Sequence, residues 1–208
     1  MRGCYAGITR TRIIKDDHSM QISEFSSGLT LPSATIQLLP PSLARVDEVF
    51  AALASVPKPH FSFLPWALGT FTPEGVREDM QQAIDHFEQD SEEYRFLIVP
   101  RHGDGLLGCI GLQIRNPALP FYELGYWLLP EATGHGYASQ AVEVLAAFAF
   151  ARLKARRLEI RMSGRNVKSR QVAERSGFRH EATLQQERIN PDGCPDDTLI
   201  YALLRPAT

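Results

Sequence analysis

Gly134-His135-Gly136-Tyr137-Ala138 is the stretch of this chain best suited to chemistry. It follows the apolar, strand-like run Tyr122–Leu129 and precedes a long helical pattern. Two glycines at the mouth of a helix leave unpaired N–H groups facing outward at the positive end of the helix dipole. A diphosphate can approach there without meeting a Cβ. The spacing is not that of a P-loop, because no Gly-Lys-Ser/Thr follows, and the third glycine of a dinucleotide fingerprint is missing. A tight strand-to-helix turn with no ligand accounts for the same residues equally well.

Further pieces accompany the loop in a fixed order. Phe63-Leu64-Pro65-Trp66 and Glu123-Leu124-Gly125-Tyr126-Trp127-Leu128 precede it. Asn166-x-x-Ser169, Glu174-Arg175-Ser176-Gly177-Phe178 and the run Asp197–Leu204 follow. In this order, over residues 31 to 205, the chain resembles the GNAT superfamily of acyl-CoA-dependent N-acyltransferases. Within it the chain is most similar to the RimJ/RimL branch, whose founding members acetylate the N-terminal amine of ribosomal proteins. The joint order is far more specific than any single piece.

The resemblance implies an α/β fold with a mixed, mostly antiparallel central sheet, splayed between its fourth and fifth strands and flanked by four helices. It implies acetyl-CoA as cosubstrate, its pantetheine in the splay beside Trp127, Leu128 and Leu129, and its diphosphate on the amides of Ala132 to Tyr137. Gly134, His135, Gly136, Tyr137, Ala138 and Asn166 complete the cofactor-binding set. The loop departs from the family pattern, which begins with Gln or Arg and carries a basic residue before the first glycine. Glu131 and Thr133 stand there instead, so main-chain amides must do most of the holding.

Attack of an amine on a thioester needs a neutral amine, a stabilised oxyanion and a proton for the departing thiolate. The resemblance implies a main-chain N–H near Leu128 or Leu129 for the oxyanion. Many members protonate the thiolate with a tyrosine seven residues after the helix-capping Asn, a position held here by Ala173. The RimL-like pattern uses a serine three residues after it, and Ser169 is the match. For the base, Glu187 on the first strand of the last hairpin matches with a one-residue gap, Glu181 shares that strand, and Glu123 is the rival. Trp66 and Glu123 are expected on the substrate side. A glutamate acting through water is a modest base, which suits an α-amine: at a pKa of about 7.8 roughly one in seven is neutral at pH 7, against well under one in a thousand for lysine.

The elements that must position these residues are legible from periodicity. Leu31–Leu39 predicts a first strand, and Ser42 caps a helix carrying Leu43, Val46, Phe50 and Leu53 on one face. A Pro- and aromatic-rich loop, Pro57–Phe71, leads to a second helix opened by Thr72-Pro73, with Val76, Met80, Ala83, Ile84 and Phe87 as its stripe. Strands follow at Tyr94–Val99, Leu106–Arg115 and Phe121–Leu129, joined by short turns and so antiparallel. The Gly loop opens a helix to about Lys154, Leu158–Met162 is a strand, and Asn166 caps a helix ending at Gly177. His180–Ile189 and Thr198–Leu204 form a hairpin around Asn190-Pro191-Asp192-Gly193. Residues 1–28 lack periodicity and read as an N-terminal extension to a single domain spanning 29–208.

Composition bounds the function. The 208 residues are 44% hydrophobic and 22% charged, as in a globular domain, and the formal net charge of −2 predicts no nucleic-acid partner. Arg152, Lys154, Arg156 and Arg157 cluster where a helix C-terminus favours cations. Cys4, Cys109 and Cys194 are too scattered for a disulfide framework or zinc site, which points to a reducing cytoplasm and no metal. The N-terminus has basic residues but no apolar h-region, and the longest apolar helical run, Val142–Leu153, is interrupted by Glu143 and Arg152, so neither a leader nor a membrane span is expected. The expected partners are acetyl-CoA and an amine, a protein N-terminus or a small molecule, with a homodimer left open.

Overall fold

The computed structural model describes residues 22–25, 27–190 and 192–205. Their seven strands form one sheet in the order β1-β2-β3-β4-β5-β7-β6. The strands are β1 (Ile36–Leu39), β2 (Glu93–Pro100), β3 (Gly108–Asn116), β4 (Phe121–Leu128), β5 (Arg157–Ser163), β6 (Arg179–Ile189) and β7 (Pro195–Leu204). Four α-helices accompany them: α1 (Val46–Ser55), α2 (Pro73–Glu88), α3 (Tyr137–Ala151) and α4 (Val167–Arg175). The β-α-α-β-β-β-α-β-α-β-β order is the expected one.

Central strands are apolar on both sides because both faces are covered. Along β2, Phe96 and Ile98 join a cluster with Leu112, Leu124, Leu145 and Ile160, which packs beneath α3. The alternate residues Leu97 and Val99 join Val49, Leu53, Val76 and Met80 of α1 and α2. Helix α3 buries Ala141, Val142, Leu145 and Ala149 completely, so it is a core helix rather than an amphipathic one.

The sheet is not closed at its centre. Strands β4 and β5 run parallel and pair only at Phe121↔Arg157, Tyr122↔Leu158 and Glu123↔Glu159. Beyond that point β4 stays with β3 as far as Leu128↔Gly108, whereas β5 stays with β7 as far as Ser163↔Thr198. Each strand satisfies its backbone on the outer side, and a wedge opens between them, as the splayed sheet requires.

Several boundaries differ from expectation for local reasons. Strand β1 begins only at Ile36, because a turn at Pro32-Ser33 interrupts the apolar run; Leu29 returns to bridge Leu38. Ser42 caps a 3-10 turn, Leu43–Arg45, ahead of α1. Two more 3-10 turns, Lys58–Phe61 and Pro65–Leu68, structure the aromatic loop. Helix α3 stops at Ala151, short of Lys154, whose φ of 54° is left-handed and whose Nζ donates to the Ala151 carbonyl. Arg157 lies beyond the helix, in β5, paired with Glu159 and Glu181.

Of the segment assigned to an N-terminal extension, residues 1–21 and 26 lie outside the described residues. Ile22–Phe25 form a 3-10 turn against the core. Phe25 is 5% exposed and meets Phe87, Phe148 and Phe96 edge-on at centroid distances of 5.4, 5.6 and 6.4 Å. Phe25→Ala is therefore expected to cost about 3–5 kcal/mol, as for other buried phenylalanines. A lower denaturation midpoint at unchanged m-value reads this out. A change below about 0.5 kcal/mol, the range of surface positions, would place Phe25 outside the folded unit.

Candidate active site

Gly134 and Gly136 have φ of 83° and 78°, a conformation that side chains other than Asn or Asp strongly resist. Gly136 is the N-cap of α3 and supplies no side-chain acceptor, so the first-turn amides are left for another partner. A Cβ on either glycine would point into open space. The amides of Ala132 and Thr133 are already used, donating to the Leu129 and Pro130 carbonyls in a 3-10 turn. The cradle thus begins at Gly134. His135 is exposed and stacks on Tyr137 at 5.5 Å, while Ala138 is buried against the core.

The wedge runs from the β4–β5 divergence toward this cradle. Leu129 N–H donates to the Leu107 carbonyl, and the Trp127 carbonyl lies so close to β3 that a Cβ on Gly108 would sit 2.1 Å from it. Trp127 and Leu129 therefore direct their backbone to β3. Alternation along an antiparallel strand turns Tyr126 and Leu128 N–H the other way, into the wedge. His60 bonds the Leu128 carbonyl through Nε2 at 2.8 Å and fixes the end of β4 to the aromatic loop.

Helix α4 forms the other wall. Asn166 caps it, its Oδ1 accepting from Ser169 N–H at 3.1 Å, and Gly177 ends it at φ 80°. The Asn166 carbonyl oxygen is thus engaged by the helix. Ser169 Oγ lies 2.9 Å from the Tyr126 hydroxyl, so α4 and β4 are joined across the wedge by a hydrogen bond. Burial pushes the Tyr126 phenol up to about 12, with the Ser169 bond opposing. Ala173 is fully buried, and no hydroxyl can come from that position.

On the opposite face of the sheet lie two clefts of about 620 Å³ each. One is walled by Leu53, Leu64, Trp66, Phe71, Met80 and Trp127 and ends at Arg95, which is paired with Asp79 and Glu93. Cys109 also lines it; burial pushes this thiol up to about 12 against the pull of Arg95. The second cleft is polar, lined by Arg115, Glu123, Glu159, Arg161, Glu187 and Thr198. Gly125 belongs to the first cleft and Glu123 to the second, so the start of the splay stands between them.

Trp66 and Glu123, both expected on the substrate side, are thus in different clefts. Glu123 and Glu187 share one. Glu123 is held by Arg115 through two bonds of 2.9 and 2.7 Å, whereas Glu187 accepts from Thr198 Oγ1 at 2.6 Å and from Arg161 at 3.3 Å. Glu187 sits in a bulge: Gln185, Gln186 and Glu187 face Asp197 alone, Gln186 has φ 50°, and the Asp197 carboxylate accepts from its N–H. Glu181 pairs with Arg157 instead. Sequence reasoning missed Tyr126 and His60. The Tyr126–Ser169 contact joins residues far apart in sequence, and only the presence of a tyrosine on the strand leading to the loop could have signalled it.

Among the described residues no group of His, Cys, Asp or Glu is arranged to hold a metal ion, and no helix is long and apolar enough to cross a membrane.

Residues 35–179 match the family model described as an acetyltransferase (GNAT) domain. The curated relative "Probable N-acetyltransferase YjcK" of Bacillus subtilis (strain 168) is 33% identical over 137 residues, 65% of this chain and 75% of its own length. Among solved structures, RimL, the ribosomal L7/L12 alpha-N-protein acetyltransferase in complex with coenzyme A, superposes with a TM-score of 0.77. It is 22% identical, with 85% of this chain and 97% of that chain covered. The microcin C7 self immunity acetyltransferase MccE, in complex with acetyl-CoA and AMP, gives a TM-score of 0.74 at 22% identity, covering 84% and 98%. At these identities the two structures establish the fold.

Proposed function

The chain belongs to the GNAT acetyltransferase family, on its RimJ/RimL-like side, and is an N-acetyltransferase; from that premise we propose that its acceptor is the α-amine of a protein or peptide N-terminus. The observation that carries this proposal is the wedge. An uncapped glycine cradle, the inward-facing Leu128 amide and the Ser169 hydroxyl line one gap in the sheet, with carboxylates beyond its apex on the acceptor face. RimL, whose described activity is on a protein α-amine, is a near structural neighbour and supports the same choice.

In this scheme acetyl-CoA lies along the wedge with its diphosphate on the amides from Gly134 to Ala138. The Leu128 N–H receives the oxyanion, since the Leu129 N–H is committed to Leu107. The amine nitrogen bonds to the thioester carbon, the C–S bond breaks, Ser169 protonates the thiolate, and Glu187 takes the amine proton through water. Trp66 forms part of the wall against which the acceptor lies.

An acetylation assay read by free-thiol release tests the acceptor class. Peptides with a free α-amine are expected to turn over, and the same peptides blocked at the N-terminus but carrying a free lysine are not. Turnover confined to amino-acid analogues, polyamines or aminoglycosides would move the assignment to small molecules. If no thiol is released with any of these amines, the protein is reduced to an acyl-CoA-binding module.

A further inference from the structure

A serine hydroxyl is a poor acid for a thiolate leaving group, because its own conjugate base is far more basic than the sulfur it must protonate. In this protein Ser169 does not stand alone. The Tyr126 hydroxyl lies 2.9 Å from its Oγ and also 3.3 Å from its backbone carbonyl. The phenol has one hydrogen, which it can give to the carbonyl or to Oγ, and the shorter contact is the one to Oγ. When that hydrogen goes to Oγ, the serine oxygen accepts from the phenol, and the serine's own hydrogen is free to point elsewhere.

We propose that Tyr126 is a positioning residue for the transfer, orienting Ser169 and replacing the proton that Ser169 delivers to the departing thiolate. The proposal rests on the role given to Ser169 above. As the tetrahedral intermediate collapses, the C–S electron pair moves to sulfur. The Ser169 O–H bond breaks and an S–H bond forms, while the Tyr126 O–H proton passes to Ser169 Oγ. The phenolate left on Tyr126 takes a proton from water, which balances the proton lost by the acylated amine on the acceptor side. Even pushed up to about 12 by burial, the phenol is a better acid than an aliphatic alcohol.

The surroundings of Tyr126 suit this task. Its ring packs against the cluster that holds Leu124 of β4 and Leu145 of α3, and its hydroxyl reaches Ser169. Burial keeps the phenol protonated across the working pH range, so the donor is always charged with its proton. The other tyrosines near the site are engaged elsewhere: Tyr201 donates to Glu174, and Tyr137 stacks on His135. Position 173 on α4 is Ala173 and offers no hydroxyl, so the phenol that meets Ser169 comes from β4.

Tyr126→Phe removes only the hydroxyl and keeps the ring in place. It is expected to lower kcat about tenfold or more while leaving CoA affinity by calorimetry unchanged, since the bond acts in the transition state. Two readouts separate a relay from a merely structural contact. Tyr126→Phe added to Ser169→Ala should cost nothing further, because the relay is already cut. The solvent isotope effect on kcat should show two protons in flight in the wild type and one in Tyr126→Phe. Unchanged kcat in Tyr126→Phe, additive losses in the double variant, or an unaltered isotope effect would each overturn the proposal. If Ser169→Ala itself keeps full activity, the role assigned to Ser169 fails first; if Ser169→Ala is impaired and Tyr126→Phe is not, only the relay fails.

Discussion

In Gly136→Glu, affinity for CoA is expected to fall about a hundredfold or more. Two effects act together. At φ 78° a side chain strains the turn that aims the first amides of α3 at the ligand. The new carboxylate also projects into open space, where the diphosphate would lie. Like charges about 4 Å apart repel by roughly 1–4 kcal/mol between bulk water and a protein surface, and a diphosphate carries more than one charge. Calorimetry with CoA measures the loss. Gly136→Asn is the uncharged control, because Asn accepts the left-handed conformation at modest cost and leaves only its bulk against the ligand. It should bind more weakly than the wild type but better than Gly136→Glu. Unchanged affinity in Gly136→Glu would move the diphosphate away from this loop.

Much of this site was legible before the structure because its signals are local. Asn166 and Gly177 mark the ends of α4 through capping chemistry, and both act there as anticipated. The glycines of the cradle announce positive φ in the same way. What escaped depends on the partner chain segment rather than on neighbours in sequence. Phe25 is one aromatic residue in an aperiodic stretch, and only the ring cluster of Phe87, Phe96 and Phe148 gives it a place. The choice between the Leu128 and Leu129 amides depends on the register against β3, set at Leu107. The early start of β7 at Pro195 was hidden by Pro-Asp-Asp, which has the composition of a turn; Asp196 is instead buried and accepts a bond from Ser163.

The second large effect is expected at the carboxylates of the polar cleft, where Glu187→Gln should lower kcat on an α-amine substrate on the order of tenfold to a hundredfold below neutral pH. Exposure is the ground for expecting Glu187 rather than Glu123 to accept the proton. Glu123 is 16% exposed, and both of its bonds from Arg115 end on one oxygen, Oε2. Glu187 is 45% exposed, lies 3.3 Å from Arg161, and is pushed out of the regular ladder by the bulge. Glutamine keeps the shape and the bond from Thr198 but cannot take a proton. At low pH the acceptor is mostly ammonium and depends on the base, so the deficit is greatest there. As the pH rises through the amine's own pKa, near 7.8, the amine deprotonates itself and the deficit should close. Glu123→Gln should show a small loss that does not vary with pH. Full pH–rate profiles of both variants decide between them: a flat, wild-type-like profile for Glu187→Gln with a low-pH deficit in Glu123→Gln would place the base on β4, at the apex of the wedge.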